Sequence, residues 1–472
     1  MAATETPSAF DYEAAVADFI VGFRFADIDE AAMSAVKAIL KDQLALQVSA
    51  ADLTWSQDAR RFFERPRAGA ATVAAEDTTM DPADAGYINA TYGHGFEYDD
   101  VAANGHPGAC VVPAAIAIGE ETGATLGQMV EAMVTGYEVY VRIGRLAAPD
   151  LVNSGWHVHA VLSNFGAAAV AAKLYGFNAE TTSHAMAIAL SHASATTEYT
   201  KSGGSIKRVH AGLAVRNGIE SARLARVGIT GPKRYLTGPK GFYRAFIRRD
   251  VMLDDARKAF APDEPLRIPG MWLKPYCCCG AVHAYIDALR MVSDRVDEIS
   301  SIDVHVQAMT RTLSDNPVAQ QNGTANIEEL QFSMALQLGL AALGMGNGYA
   351  THRAFLDGKI DIGPDSPVTA FARKLNIIHA PRLDEKYPFN FVGEVDIHFT
   401  DGTSRNIFMD GAKGMPNRPF TPEQHREKLD ELTFPVIGHE NALSLYEMID
   451  DLAPDTPLTS LTALLKVVSQ TR

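Results

Sequence analysis

A mainly α-helical fold with an inserted α+β unit is what this 472-residue sequence predicts. Three features carry that reading. Apolar residues recur at spacings of three and four almost throughout from Tyr12 to about Arg257. Short alternating runs replace that pattern between Asp263 and Asp410, and helical spacing returns after Thr421. The chain is also long enough for two domains, because a single core stops growing near ~250–300 residues.

In chain order, Glu13–Phe23, Glu30–Gln47 and Leu126–Leu146 read as amphipathic helices. Alanine-rich helices follow at Val158–Leu174, Thr182–Thr196 and Val209–Val227, with glycine stops such as Gly176 and Gly228. So much alanine and glycine predicts helices that approach closely. After Pro262–Pro269 the run Ser301–Val306 reads as a strand. Glu394–Thr400 and Ser404–Phe408 flank Asp401-Gly402, a strong hairpin signal. Helices are expected at Cys279–Val296 and Ile327–Leu343, and in the tail at Pro422–Leu432, Asn441–Leu452 and Leu458–Val468. The expected organisation is a large all-helical domain formed by both chain ends, residues 1–262 and 411–472, with a smaller α+β lid domain over residues 263–410.

The net charge is −15. A chain this acidic repels nucleic acid and anionic membrane, since phosphate binding needs a basic face. No run approaches the ~18 apolar residues of a membrane span, and the start MAATETPSAF lacks the pattern of a secretory leader. The four cysteines are Cys110 and the adjacent Cys277, Cys278 and Cys279, which suit a reducing cytoplasm better than a disulfide framework. The expected partner is a small molecule. If it is an anion, its site must be a local island of positive charge.

Four segments carry groups able to do chemistry. In Thr200–Asn217, Ser205 is positioned as the N-cap of a helix whose first turn holds Lys207, with Arg208 beside it and His210 on the same face as Lys207. Helix-start N–H groups attract anions, and a lysine there is an anion clamp or a base of lowered pKa; a surface lysine beside a packed histidine is the plain alternative. Tyr92–Pro113 gathers Glu97, Asp99, Asp100, His94 and His106 in a glycine-punctuated loop. That set matches no common zinc spacing, so no metal is expected. His157, in Asn153–Ala160, opens a helix where the dipole favours neutral imidazole; His159 is an ordinary helix histidine. Leu273–His283 contributes Lys274 and the cysteine run, in which buried packing is set against a thiolate nucleophile. No nucleotide or nucleophile-elbow fingerprint is present, and no cofactor is expected.

These segments together resemble the MmgE/PrpD family: FEYDD…HPG, GYEVYVRIG, NSGWH, KRVHAGLAVRNG, GITGP, LKPYCCCGAVHA, FTDG and KGMPNRP follow in the family's order, nearly end to end. The resemblance implies a helical body, an inserted lid, a homodimer and a site in the cleft between domains. It places the family's pocket residues on Glu97, His106, His157, Lys207 and Lys274. It also implies 2-methylcitrate dehydratase, cis-aconitate decarboxylase or iminodisuccinate epimerase chemistry on a di- or tricarboxylate. The sequence differs from decarboxylase-like members at Glu97 (often aspartate), at Val101 (often threonine), in the length of the loop between Asp100 and His106, and at Phe332, which stands for a lid tyrosine.

The expected activity is therefore proton transfer beside a carboxylate, by a lyase or isomerase. Dehydration of a hydroxy-polycarboxylate ranks first, epimerisation second and decarboxylation third. His106, His157, Lys207 and Glu97 are the expected catalytic groups; Lys274, His210, Arg208 and Ser205 are the expected substrate-binding groups. A non-catalytic carboxylate-binding protein and a thiol-dependent racemase are the competing readings.

Overall fold

The computed structural model describes residues 10–388 and 390–467. The leader reading of residues 1–9 and the predicted helix end at Val468 lie outside these described residues.

Helix starts follow local chemistry. Side chains of Asp11, Asp29, Asp81, Thr125 and Asn178 accept from first-turn N–H groups of the helices Tyr12–Gly22, Glu30–Ser49, Pro82–His94, Leu126–Ala147 and Ala179–Leu190. At the centre, Val158–Leu174 packs between Leu126–Ala147 and His210–Arg226, and its residues Val158 to Ala172 are buried. Small side chains make this approach possible. A Cβ on Gly218 would stand 2.5 Å from the Ala167 methyl.

The α+β portion is a four-stranded sheet ordered Leu375–His379, Ile299–Val306, Gly393–Phe399, Ser404–Met409. The first pair is parallel and the others antiparallel. Gly393–Phe399 alternates buried and half-buried residues, and the helix His283–Arg290 packs against it. The tail returns to the helical body, where Pro422–Asp451 packs against Glu30–Ser49. The fold is thus mainly α with a small α+β portion. Among the described residues, no helix is long and apolar enough to cross a membrane.

Several boundaries moved. The helix expected over Thr182–Thr196 stops at Leu190, leaving a turn whose Ala195 carbonyl accepts from His157 N at 3.0 Å. Ile327–Leu343 is two helices, broken where Ser333 leaves helical geometry and caps the second. The two tail helices expected at Pro422–Leu432 and Asn441–Leu452 run on as Pro422–Asp451, with a kink at Gly438 (φ 76°). The strand Leu375–His379 was not anticipated. It is an edge strand with two of its five residues exposed and two half-buried, so its apolar alternation is weak.

Candidate active site

The helix Pro82–His94 ends in a loop that carries most of the site. In that loop Asp100 and Val101 pair antiparallel with Leu273 and Trp272. This two-residue ladder sets Lys274 beside Glu97, 177 positions earlier in the chain. The loop is pinned from its far end as well: Gly108 N donates to Asp100 Oδ2 at 3.1 Å, and any Cβ on Gly108 would collide with that carboxylate. From the C-terminal helix, the buried Lys428 ammonium donates to the carbonyls of Tyr98 (2.9 Å) and Lys274 (3.1 Å) and pairs with Asp42 Oδ1 at 2.7 Å. Both sides of the site are therefore held by one cation.

Glu97 is 2% exposed and stands at φ 60°, a left-handed conformation that a non-glycine residue adopts at a cost. One of its oxygens contacts Lys207 Nζ; the other accepts from Lys274 Nζ at 3.1 Å. Lys207 is carried on a 3₁₀ turn, Ser205–Val209, that leads into the helix His210–Arg226. Burial, then the charges of Lys274 and Arg208, push the Lys207 ammonium well below the ordinary lysine range. The Glu97 carboxylate works against that shift.

The histidines surround this pair. His106 Nδ1 is 2.8 Å from the Asp100 carbonyl and 3.3 Å from Asp99 Oδ1. His94 Nδ1 is 2.7 Å from Asp99 Oδ2. His157 stands at the start of the helix Val158–Leu174 without capping it, and its Nδ1 lies 2.9 Å from His210 Nδ1, so one ring donates and the other accepts. Burial, reinforced by His210 and then His159, drives His157 well below the usual imidazole range. Burial likewise lowers His106, and takes His159 down to about 3 and His210 down to about 4. These imidazoles are neutral at neutral pH. Burial raises the Asp99 carboxyl to about 8 against the opposing Lys274, and Asp100 to about 7.

Of these groups, Glu97, His106, His157, Lys207 and Lys274 line a cavity of about 90 Å³. At roughly 10–15 Å³ per water, that is space for on the order of six to nine water-sized groups, the bulk of a small dicarboxylate. A larger surface groove of about 750 Å³, between Glu30–Ser49 and the start of Pro422–Asp451, contains none of these residues. We place the site in the smaller cavity because only there do the perturbed groups converge.

A metal is the obvious rival for such a cluster, since ligand atoms of His94, Asp99 and His106 lie within 4.8 Å of one another. The fit is poor. Lys274 Nζ stands 3.6 Å from Asp99, so the lysine supplies positive charge where an ion would. As for the thiols, Cys279 borders the cavity, while burial pushes the Cys277 and Cys278 thiols well above their ordinary range, away from thiolate.

Two expected residues are elsewhere. Ser205 is exposed, is absent from the cavity wall and caps nothing, because the helix begins only at His210 after the 3₁₀ turn. Arg208 is buried but turns away: it donates to Gly95 O, Glu328 and Gln331 and lies over the Trp55 ring, clamping the loop instead of facing the cavity. His210 reaches the site only through His157. Conversely, His159 is fully buried with its ring centroid 4.4 Å from that of His94; its spacing of two from His157 was the available signal. Tyr199 and Lys428 carried no sequence signal, since their places depend on distant packing.

A helical body, a small α+β portion and a buried cavity walled by lysine, imidazole and carboxylate define a class of protein built to hold a small anion. The chain belongs to the MmgE/PrpD family, with the MmgE/PrpD N-terminal domain matched over residues 14–252 and the C-terminal domain over residues 276–453. It is similar to a cis-aconitate decarboxylase-like protein, oryM, of Aspergillus oryzae, with 25% identity over 98% of this chain and 99% of that protein. Cis-aconitate decarboxylase of Aspergillus terreus is 26% identical over 93% of this chain and 92% of its own length. The Homo sapiens cis-aconitate decarboxylase is 24% identical over 83% and 80%.

Proposed function

We propose that this protein is a lyase that takes a small carboxylate into the Glu97–Lys207–Lys274 end of the cavity and moves a proton at a carbon beside a carboxylate. The observation behind this reading is a buried carboxylate, Glu97, shared by two lysines in the wall of a cavity that His106 and His157 also line. Fixed positive charge there stabilises negative charge as it develops on the substrate's carboxylate oxygens. In dehydration neutral His157, oriented by His210, accepts the proton removed from carbon; in decarboxylation no proton is removed and His157 only faces the carbon where charge develops. Lys207, its ammonium pressed toward release, returns one; Glu97 takes part as its hydrogen-bonded partner, and His106 serves the opposite face.

The sequence placed dehydration first. Decarboxylation is the finer reading we now favour, on two grounds: the relatives carry that name, and losing CO₂ disperses charge, which a largely apolar cavity assists. The C–COO⁻ bond breaks and CO₂ leaves. The electron pair passes into the framework conjugated with the remaining carboxylate, and a proton then forms the new C–H bond. Dehydration is the second reading, with the Lys207 ammonium as acid for the departing hydroxyl. A homodimer and a lid role for residues 263–410 belong to the same proposal, and light scattering tests the former.

Incubation of the purified protein with unsaturated and hydroxylated polycarboxylates in D₂O tests the reading. Solvent deuterium should enter a carbon adjacent to a carboxylate, with CO₂ released, and EDTA should leave the rate unchanged. Substrate depletion without deuterium uptake would overturn the proton-transfer step; water release without CO₂ would select dehydration. Binding without turnover would leave a carboxylate-binding protein.

A further inference from the structure

Tyr199 carries a hydroxyl that the fold does not use. Its ring stands edge-on to His157, His210 and Phe332, with centroids 5.5, 6.0 and 5.9 Å away. Among the described residues the hydroxyl has no hydrogen-bond partner, although a buried tyrosine hydroxyl usually finds one and is costly to leave without. Nor is it sealed in protein, as the hydroxyls of Tyr235 and Tyr387 are. Tyr199 is 8% exposed and lines the cavity, so the space open to its hydroxyl is the cavity.

The cavity has a matching need. Among the described residues, Lys207 and Lys274 are its only lysine or arginine groups, and both converge on Glu97. Together they hold one carboxylate. The other carboxylate of a dicarboxylate meets an uncharged wall, and a buried charge without a partner is expensive. The Thr197 hydroxyl already donates to the Gly155 carbonyl at 3.3 Å, and that of Tyr387 is enclosed. Asn104 offers an amide, but it is Tyr199 whose ring packs on His157. Building on the function proposed above, we infer that Tyr199 binds the substrate: its hydroxyl donates a hydrogen bond to the carboxylate that Lys207 and Lys274 do not hold. Burial raises the Tyr199 phenol well above its ordinary range, so the hydroxyl keeps its proton and remains a donor.

Tyr199→Phe removes the hydroxyl and keeps the ring. Ligand-observed NMR titration of the full chain with succinate, and with propionate as its one-carboxylate counterpart, tests the assignment. In the variant the Kd for succinate should rise about 10–100-fold, the worth of a hydrogen bond to a charged group. Propionate, held by the lysines alone, should change by less than about twofold. The urea midpoint should stay level or rise, because the hydroxyl bonds no protein group. An unchanged succinate Kd, equal weakening of both ligands or a lowered urea midpoint would each overturn the inference and leave the lysine-bound carboxylate site standing. If neither ligand binds the wild type, the carboxylate reading itself fails and the inference falls with it.

Discussion

Glu97 Oε2 accepts from Lys274 Nζ at 3.1 Å while its other oxygen is held by Lys207. One carboxylate thus occupies two cations brought from separate segments of the chain. A substrate carboxylate has to join or displace it, which makes Glu97 both a group of the reaction and a competitor for the anion place.

Replacing Glu97 with Gln separates those roles. The neutral amide leaves both lysines free for substrate, so the Kd for a dicarboxylate should stay the same or fall. Turnover should drop by about 10²–10⁴-fold, because the carboxylate that holds the proton-donating Lys207 is lost. Steady-state kinetics with calorimetry checks this; a rise in Kd with unchanged turnover would mean that Glu97 only shapes the pocket.

Lys428 should matter for stability far more than its position on the C-terminal helix suggests. Burial alone would raise Asp42, but the Lys428 ammonium and His425 outweigh it and hold that carboxyl below its usual range. Lys428→Met leaves Asp42 buried without its ammonium and frees the carbonyls of Tyr98 and Lys274. A loss of about 3–5 kcal/mol in urea unfolding is expected, against less than about 1 kcal/mol if the contact were superficial.

His210 should act through His157. Burial is the larger cause of the low His157 pKa and His210 the second, so wild-type kcat/KM should hold well below the ordinary imidazole value of about 6.5. His210→Ala relieves part of the shift, and the acid limb should move upward, toward the ordinary imidazole value of about 6.5. Coincident limbs in wild type and variant would contradict the coupling.

Global stability should fall steeply on acidification. His94, His106, His157, His159, His210, His283 and His352 all have folded pKa values below the unfolded one, with burial the main cause. The unfolded chain therefore binds protons first as pH falls. Their contribution is complete above about pH 6.5 and is lost on the way down, at roughly 1.4 kcal/mol per pH unit for each proton. Asp99 and Asp100 oppose this, because their folded values of about 8 and about 7 exceed the unfolded one and their contribution is lost as pH rises through them. Urea midpoints between pH 7 and pH 4 read the net slope. A flat profile would mean that the imidazoles are charged in the folded state.

Legibility followed the range of the interactions. Helices such as Val158–Leu174 were readable because their periodicity is local, and so was the hairpin at Asp401-Gly402. Glu97, His106, His157, Lys207 and Lys274 were found as chemically apt residues in glycine-marked segments, and the fold brings them to one cavity. Ser205 was misplaced because a 3₁₀ turn and an α-helix start look alike in sequence. Arg208 was misread because its partners Glu328 and Gln331 are more than a hundred residues away. The Lys428 ties are of the same kind and left no local trace.

The most direct test is a crystal structure of the protein soaked with a dicarboxylate such as succinate. A carboxylate within hydrogen-bond distance of both Lys207 Nζ and Lys274 Nζ, with His157 facing an adjacent carbon, is the predicted result. Clear density for the ligand in another cavity, with the Glu97–Lys207–Lys274 cluster undisturbed, would contradict the account.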